Sequence, residues 1–528
     1  MTSATGTETD PDTGTDPDTV IRLSLHRDTY VDSVVQLSGT RAMRQVDGVE
    51  WAAAAMATRV NLEALSAEGF TDLPEAGVND LVLAVRARSA EAAERAERAA
   101  ETALFAPRDD GPEPAGQRPP RTLGEALRRA PDSTVAVISV PGDYAALEAH
   151  KALSAGLDVL LFSDNVSIDD EIELKDRATR LGRLLMGPGA GTAMLGSTCL
   201  GFANVVAPGR VAVVAAAGTG AQEAASLLDR WGVGVSHVIG LGGRDLTARV
   251  GGRMALAAVR GLVRDAATDV ILLVSKPPDA EVARQVVAAA KGATLVAALI
   301  GAPPDFTVPD GVVLARTLEA GVAAATRAAG GTVPDPVADL VERVRERAAV
   351  LPAARTLVRA LFSGGTLCYE SLVVLADVLG PVYSNTPIEP SLGLPAPPGG
   401  HTCLDLGEEE YTRGRPHPMI DPAARIELLR EQGADPAVAA IVLDVVLGHG
   451  AHPDPASELA PVCAGITSGG GPAVVVYVLG TDGDPQGFDA QRRAFAEAGC
   501  LVTDTAARAS LAAAGLALRD PELAGGAL

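Results

Sequence analysis

One short pattern occurs twice in this chain. AGTGAQE at 217–223 and GGTLCYE at 364–370 each place a Gly-Thr pair after an apolar run and a Glu four residues beyond the Thr. Thr219 and Thr366 are 147 residues apart, and Glu223 and Glu370 keep the same separation. The flanks repeat as well. VGVSHVIG answers GPVYSNTP, GGRMALAAVRGLVRDAATDVILLVSKPPDAE answers PAARIELLREQGADPAVAAIVLDVVLGHGAHPDPA, and TLVAALIG answers AVVVYVLG. Self-similarity over such a length means a duplicated domain. The second copy differs by a Pro/Gly-rich, polar insertion over about 388–418.

Each copy alternates short apolar runs with helix-like stretches. That is the signature of a parallel sheet buried on both faces. Residues 207–335 and 336–528 therefore read as two flavodoxin-like, doubly wound domains. Ahead of them, TVAVISVP, LDVLLFSD and GRLLMGP fit a truncated Rossmann-like domain over 123–206. Residues 107–122 form a Pro/Gly/charge linker. The segment 20–106 holds strands at VIRLSLHR, 48–56 and 80–88, with helices at 30–44, 61–68 and 90–104. That succession suits a small ferredoxin- or ACT-like α+β module without catalytic residues. The first 19 residues carry acids, Thr, Gly and Pro but no base, and read as a disordered acidic tail. With 47% hydrophobic residues and only 3% aromatics, the cores must be packed from Ala, Val and Leu.

The net charge of −23 opposes binding to nucleic acid or to an anionic membrane. Five cysteines, without C-x-x-C spacing, suit reduced thiols in a cytoplasm. No signal-like start or apolar run of about 18 residues is present.

Ligands of an open parallel sheet collect at the carboxyl ends of its strands, where helices begin. Both repeat loops lie there. Gly218, Thr219 and Gly220, and Gly364, Gly365 and Thr366, offer close backbone approach, a hydroxyl and open N–H groups to a phosphate or an oxyanion. The competing reading is a tight turn with a Thr cap. No Walker lysine follows either loop. Glu223 and Glu370 lie one turn into their helices, where they either complement the dipole or take a proton. In the second copy GRPHPMIDP carries Arg415, a carboxylate or phosphate clamp, and His417, an acid/base. VVLGHGAHPDP carries His449 and His452, and H-x-x-H-x-D is too weak a pattern to assign a metal. Gly242, Gly243 and Arg244 form a ligand-facing loop in the first copy.

The run from MGPGAGTAML to ILLVSKPP resembles the α-subunit of succinyl-CoA synthetase, with its Gly-Pro turn (GPGAG) at 187–191, the Gly-Thr-x-x-x-Glu loop at 217–223 and G-x-GG-x-D at 240–245. From about residue 20 to the C-terminus the chain looks like the FdrA proteins, an acyl-CoA synthetase branch. LFSGGTLCYE, YSNTPIEP (with Asn385), GRPHPMIDP and VVLGHGAHPDPA carry that likeness. Two departures stand out. The G-x-T-G-x-x-G loop that opens the synthetases' CoA-binding domain is missing, which counts against CoA. The phosphohistidine loop is replaced after residues 294–301 by APPDFTVPDG, which has no His. The resemblance thus implies a phosphate-handling framework without the relay, as in multi-subunit oxamate carbamoyltransferases of purine ureide catabolism. These convert oxalurate and phosphate to oxamate and carbamoyl phosphate. It implies partner subunits or a homo-oligomer, phosphate or carbamoyl phosphate as substrate, and no certain cofactor. On this reading His417, His449, Glu370 and Glu223 are the catalytic candidates. Arg415, Arg244, Asn385, Gly242 and Gly243 would bind substrate. An acyl-CoA ligase and a non-catalytic scaffold are the alternatives.

Overall fold

The computed structural model of the chain describes residues 19–29, 31, 33–70, 75–77, 79–105, 120–303, 305–412 and 416–528. Nearly all of the acidic tail, most of the linker and Arg415 lie outside them. The described residues fall into two compact units.

The first unit follows the order β1 (Val20–His26), α1 (Ser33–Arg44), β2 (Val49–Met56), α2 (Arg59–Ala67), β3 (Leu81–Ala87) and α3 (Ala90–Phe105). Its antiparallel sheet runs β1-β3-β2. Alternation along β3 feeds two cores. Leu81, Leu83 and Val85 meet the small face of α3 (Ala92, Ala93, Ala96), and Val82 and Ala84 meet Leu65 and Phe70. Among the described residues the sheet has three strands, so the fourth strand of a ferredoxin-like module has no counterpart here.

The second unit opens with α4 (Leu123–Arg129). A three-stranded parallel sheet follows, made of β4 (Val135–Ile138), β5 (Asp158–Leu161) and β6 (Leu185–Met186) with α5 (Gly142–Ser154) and α6 (Ile168–Leu181). A hairpin, β7 (Thr192–Leu195) and β8 (Thr198–Gly201), leads into the first repeat. That repeat comprises β9 (Pro208–Ala215), α7 (Gly218–Arg230), β10 (Val235–Gly240), α8 (Arg253–Leu262), β11 (Val270–Ser275), α9 (Ala280–Ala289), β12 (Thr294–Leu299), β13 (Val313–Ala315) and α10 (Leu318–Ala328). After α11 (Leu340–Val350) the second repeat runs β14 (Leu357–Phe362), α12 (Gly365–Leu379), β15 (Val382–Tyr383), β16 (His401–Asp405), α13 (Glu409–Thr412), α14 (Ala423–Ala434) and β17 (Val438–Val446). It closes with α15 (Pro455–Ser468), β18 (Ala473–Leu479), α16 (Phe488–Glu497), β19 (Leu501–Thr503) and α17 (Ala506–Leu518).

The sheets carry the duplication into space. The first is ordered β10-β9-β11-β12-β13 and the second β16-β14-β17-β18-β19, both flavodoxin-like. The hairpin β7-β8 extends the first sheet and β15 the second. The fold is thus α/β with parallel sheets, preceded by a small module. One reading from the sequence is corrected. GPVYSNTP does not occupy the place of β10. β16 does, from within the segment read as an insertion, because a five-residue strand among Pro and Gly leaves little periodic signal. Buried strands such as VILLVS explain the rest. Six consecutive apolar or small residues can be buried only where helices cover both faces. One core joins the copies, with Ala221 and Leu228 of α7 beside Leu367 and Leu372 of α12.

Candidate functional site

The helices that follow the first strand of each copy start without a side-chain cap of their own, after Ala217 and after Gly364. First-turn N–H groups are therefore left open. The two starts meet. Thr366 N donates to Thr219 Oγ1 at 3.3 Å, so the hydroxyl of one copy caps the helix of the other. Two glycines make this approach possible. A Cβ on Gly220 would lie 2.7 Å from Thr366 Cγ2, and one on Gly364 2.8 Å from Thr219 Cγ2.

The two loops are not equivalent. In the second copy a buried carboxylate already fills the turn. Asp444 accepts from Ser363 N (2.7 Å), Ser363 Oγ (3.0 Å) and Gly364 N (2.8 Å). Buried Arg425 balances it at 3.3 Å. In the first copy the ladder places Val274 at the matching position, so among the described residues no carboxylate enters the turn, and Gly218 is open to solvent.

Beside Gly365 stands Asp405, at the carboxyl end of β16. Asn385 clamps its backbone on both sides, donating to its C=O at 2.8 Å and accepting from its N–H at 2.9 Å. Gly407 N donates to Oδ1 at 3.0 Å. Oδ2 points at Gly365, where any added Cβ would overlap it. Burial raises the Asp405 carboxyl to about 6, against the lowering pull of the Lys276 ammonium. Lys276, from the loop after β11 of the first copy, lies 5.6 Å over the Tyr369 ring. His417 completes the group. Its Nδ1 accepts from Met419 N (3.2 Å), which leaves the ring proton on Nε2. A Cβ on Gly407 would sit 2.7 Å from that Nε2, 3.1 Å from Ser363 O and 3.2 Å from Asp405 Oδ1. Burial keeps the imidazole below its usual pKa, with Asp444 opposing and Arg425 adding to the effect. Replacing Gly365 with Ala should cost about 1–3 kcal/mol by overpacking Asp405. A Gly261→Ala control, with open space around it, should melt at or above the parent temperature in the same thermal scan.

Glu223 and Glu370 are both buried and serve crosswise. Glu370 Oε1 accepts from Leu318 N, the first residue of α10 in the other copy, at 2.5 Å. Glu223 accepts from the Ala506 backbone at the start of α17, and from the Tyr477 hydroxyl. Each glutamate thus caps the last helix of the opposite repeat. The remaining oxygens, Glu223 Oε1 and Glu370 Oε2, are buried without partners among the described residues. Burial raises Glu223 to about 7. Burial and the charge of Glu223 raise Glu370 to about 8.

The other residues singled out from the sequence lie elsewhere. Arg244 donates to Glu171 (2.9 Å) and Val166 O (2.8 Å) and so ties α6 to the first repeat. Gly242, at φ +80°, packs on the Pro188 carbonyl, whereas Gly243 faces open space. His449 is exposed, and its backbone pairs with Ala203. The sequence reading missed Lys276, Asp405 and Asp444. A lysine just after β11, an aspartate at the end of β16 and another inside β17 were visible, but nothing local marked them as neighbours of one loop.

The family model for CoA-ligase matches residues 361–516, and that for the AllF heavy metal-associated domain matches residues 19–119. The latter segment contains no cysteine, so it lacks the thiolates that soft metals favour. The chain is 36% identical to the uncharacterized protein YahF of Escherichia coli (strain K12) over 93% of its own length and 98% of that protein. It is 29% identical to the succinate–CoA ligase [ADP-forming] subunit alpha 2 of Archaeoglobus fulgidus over 46% of this chain and 87% of that one. Among solved structures, the dinucleotide-forming acetyl-coenzyme A synthetase 1 of Ca. Korarchaeum cryptofilum aligns at 16% identity over 74% of this chain and 84% of that one, with a TM-score of 0.28. No helix among the described residues is long and apolar enough to cross a membrane.

Proposed function

Because the chain belongs to the family of the Escherichia coli protein YahF and carries a CoA-ligase domain, we propose that it is a subunit of an acyl-transferring enzyme that handles an acyl phosphate where its two repeat loops meet. The observation that carries this reading is the joint start of α7 and α12. There Thr219 caps Thr366, and Lys276 and His417 stand around Asp405. Converging N-termini and an ammonium favour the charge of a phosphoryl group, and a neutral imidazole with its proton on Nε2 can protonate a departing oxygen.

The acyl group in this reading is carbamoyl, in an FdrA-type oxamate carbamoyltransferase serving purine ureide catabolism. Neither CoA nor a phosphohistidine is needed for that exchange. The three-stranded sheet β4-β5-β6 and the His-free loop after β12 are consistent with it. Purified chain with its partner subunits should form carbamoyl phosphate from oxalurate and phosphate. The double variant Thr366→Ala/His417→Ala should lose at least about a hundredfold in rate. Undiminished turnover by that variant would leave a scaffold role.

A second reading, an acyl-CoA ligase, is favoured by the CoA-ligase match over 361–516 and by the succinate–CoA ligase relatives. CoA-dependent nucleotide cleavage with no carbamoyl phosphate formed would decide for it.

A further inference from the structure

Asp405 is arranged so that one of its two oxygens is held and the other is left over. Asn385 fixes its backbone from both sides and Gly407 N holds Oδ1, while Oδ2 accepts no hydrogen bond among the described residues. The residue is only 3% exposed. On a residue so largely buried, a carboxylate oxygen that accepts no hydrogen bond is open to an occupant or a reaction. This oxygen is aimed at Gly365, the first residue of the 15-residue helix α12. Lys276 arrives from the other repeat. Its ammonium makes no hydrogen bond or ion pair among the described residues, yet its charge acts on Asp405. Cation, carboxylate and helix start therefore come together only in the joined repeats. The acceptor that a phosphoryl relay would need is absent from the loop after β12, which has no His.

We propose that Asp405 is a nucleophile that takes the phosphoryl group of an acyl phosphate onto Oδ2 as an aspartyl phosphate, with Lys276 neutralising the transferred charge. The proposal rests on the acyl-phosphate reading of this site. A lone pair of Oδ2 attacks phosphorus and forms the new O–P bond. The P–O bond to the acyl oxygen breaks, and its electron pair leaves with the acyl carboxylate, a carbamate when the acyl group is carbamoyl. No oxidant is needed and no proton is consumed. One mixed anhydride replaces another, so the step is close to balanced in energy and reverses onto a second carboxylate. Asp405, raised only to about 6, is mainly ionised at neutral pH and so available to attack. His417 Nε2 lies on the Gly407 side of the carboxylate, near Oδ1.

The test is to incubate the full chain with acetyl phosphate, and separately with carbamoyl phosphate, at neutral pH. The reaction is quenched in acid, and intact and peptide masses are read while acyl phosphate consumption is followed in parallel. One phosphoryl group should appear on the peptide containing Asp405, be released by hydroxylamine, and be absent from Asp405→Asn. Lys276→Ala removes a side chain that makes no hydrogen bond or ion pair among the described residues, only the contact with the Tyr369 ring, so it tests the idea even if Asp405→Asn fails to fold. It should reduce labelling by about a hundredfold. Label on another residue, or full labelling of Asp405→Asn, overturns the proposal. Consumption of acyl phosphate without label overturns the aspartyl intermediate but spares the acyl-phosphate site. Neither label nor consumption overturns both.

Discussion

Lys175→Met is expected to lower the stability of the larger unit by about 3–5 kcal/mol, read as a shift in its urea midpoint. Lys175 in α6 has no exposed surface. Its ammonium donates to Glu171 Oε1 (2.7 Å), Asp245 Oδ1 (2.8 Å) and Leu241 O (2.9 Å). Glu171 and Asp245 are equally buried. Arg244 adds a second cation on Glu171, and Asp245 also accepts from Met254 N and Ala255 N at the start of α8. Removing the ammonium strands two carboxylates in a medium that solvates them poorly, whereas removing all three charges does not. The triple variant Lys175→Met/Glu171→Gln/Asp245→Asn should therefore recover most of the loss. A single variant that unfolds within about 1 kcal/mol of the parent would show that water reaches this cluster.

Alkaline pH should loosen the joint between the repeats. Glu223 and Glu370 are raised in the folded chain to about 7 and about 8, by burial first and by their mutual repulsion in the case of Glu370. The folded state therefore holds protons that the unfolded chain has released. The resulting stability is fully present below the ordinary glutamate range and is lost as pH rises through 7 and 8. The groups that face the pair do not remove the effect. Tyr477 and Arg230 favour the charge of Glu223, but Glu319 is occupied by Arg508 (2.7 Å) and Thr505 (2.5 Å) and only adds negative charge. Melting temperature should fall steadily from pH 6 to pH 9, with a loss of stability on the order of 3 kcal/mol. Glu370→Gln keeps an acceptor for Leu318 N and cannot ionise, so its profile over the same range should be much flatter. Parallel profiles for parent and variant would contradict the account.

Legibility in the sequence followed the range of each interaction. The duplication, the alternation of strands and helices and the flavodoxin-like class rest on periodicity within short windows, and the elements formed close to where that periodicity placed them. Gly-Thr loops at strand ends were equally visible, because Gly and Thr have local reasons to sit before a helix. The short strand β16 was not, since its partners β14 and β15 supply what its own five residues lack. Arg244 looked free to bind a substrate. Only the packed chain shows Glu171, 73 residues away, already holding it.

The sequence by itself determined that two copies of one α/β domain exist and that each carries a Gly-Thr loop before a helix. It also determined the spacing between them, because duplication copies local patterns. What only the tertiary structure decided is how the copies serve each other. Thr219 caps α12, Glu370 caps α10 and Glu223 caps α17, and Lys276 of one repeat faces Asp405 of the other. The physical reason is that a hydrogen bond or ion pair forms between groups close in space, and chain spacing leaves such distances open until both sheets are packed into one core. Asp444 and Val274 show the consequence. They stand at one ladder position in two copies of one domain, and the aspartate fills its own loop while the valine leaves its loop open.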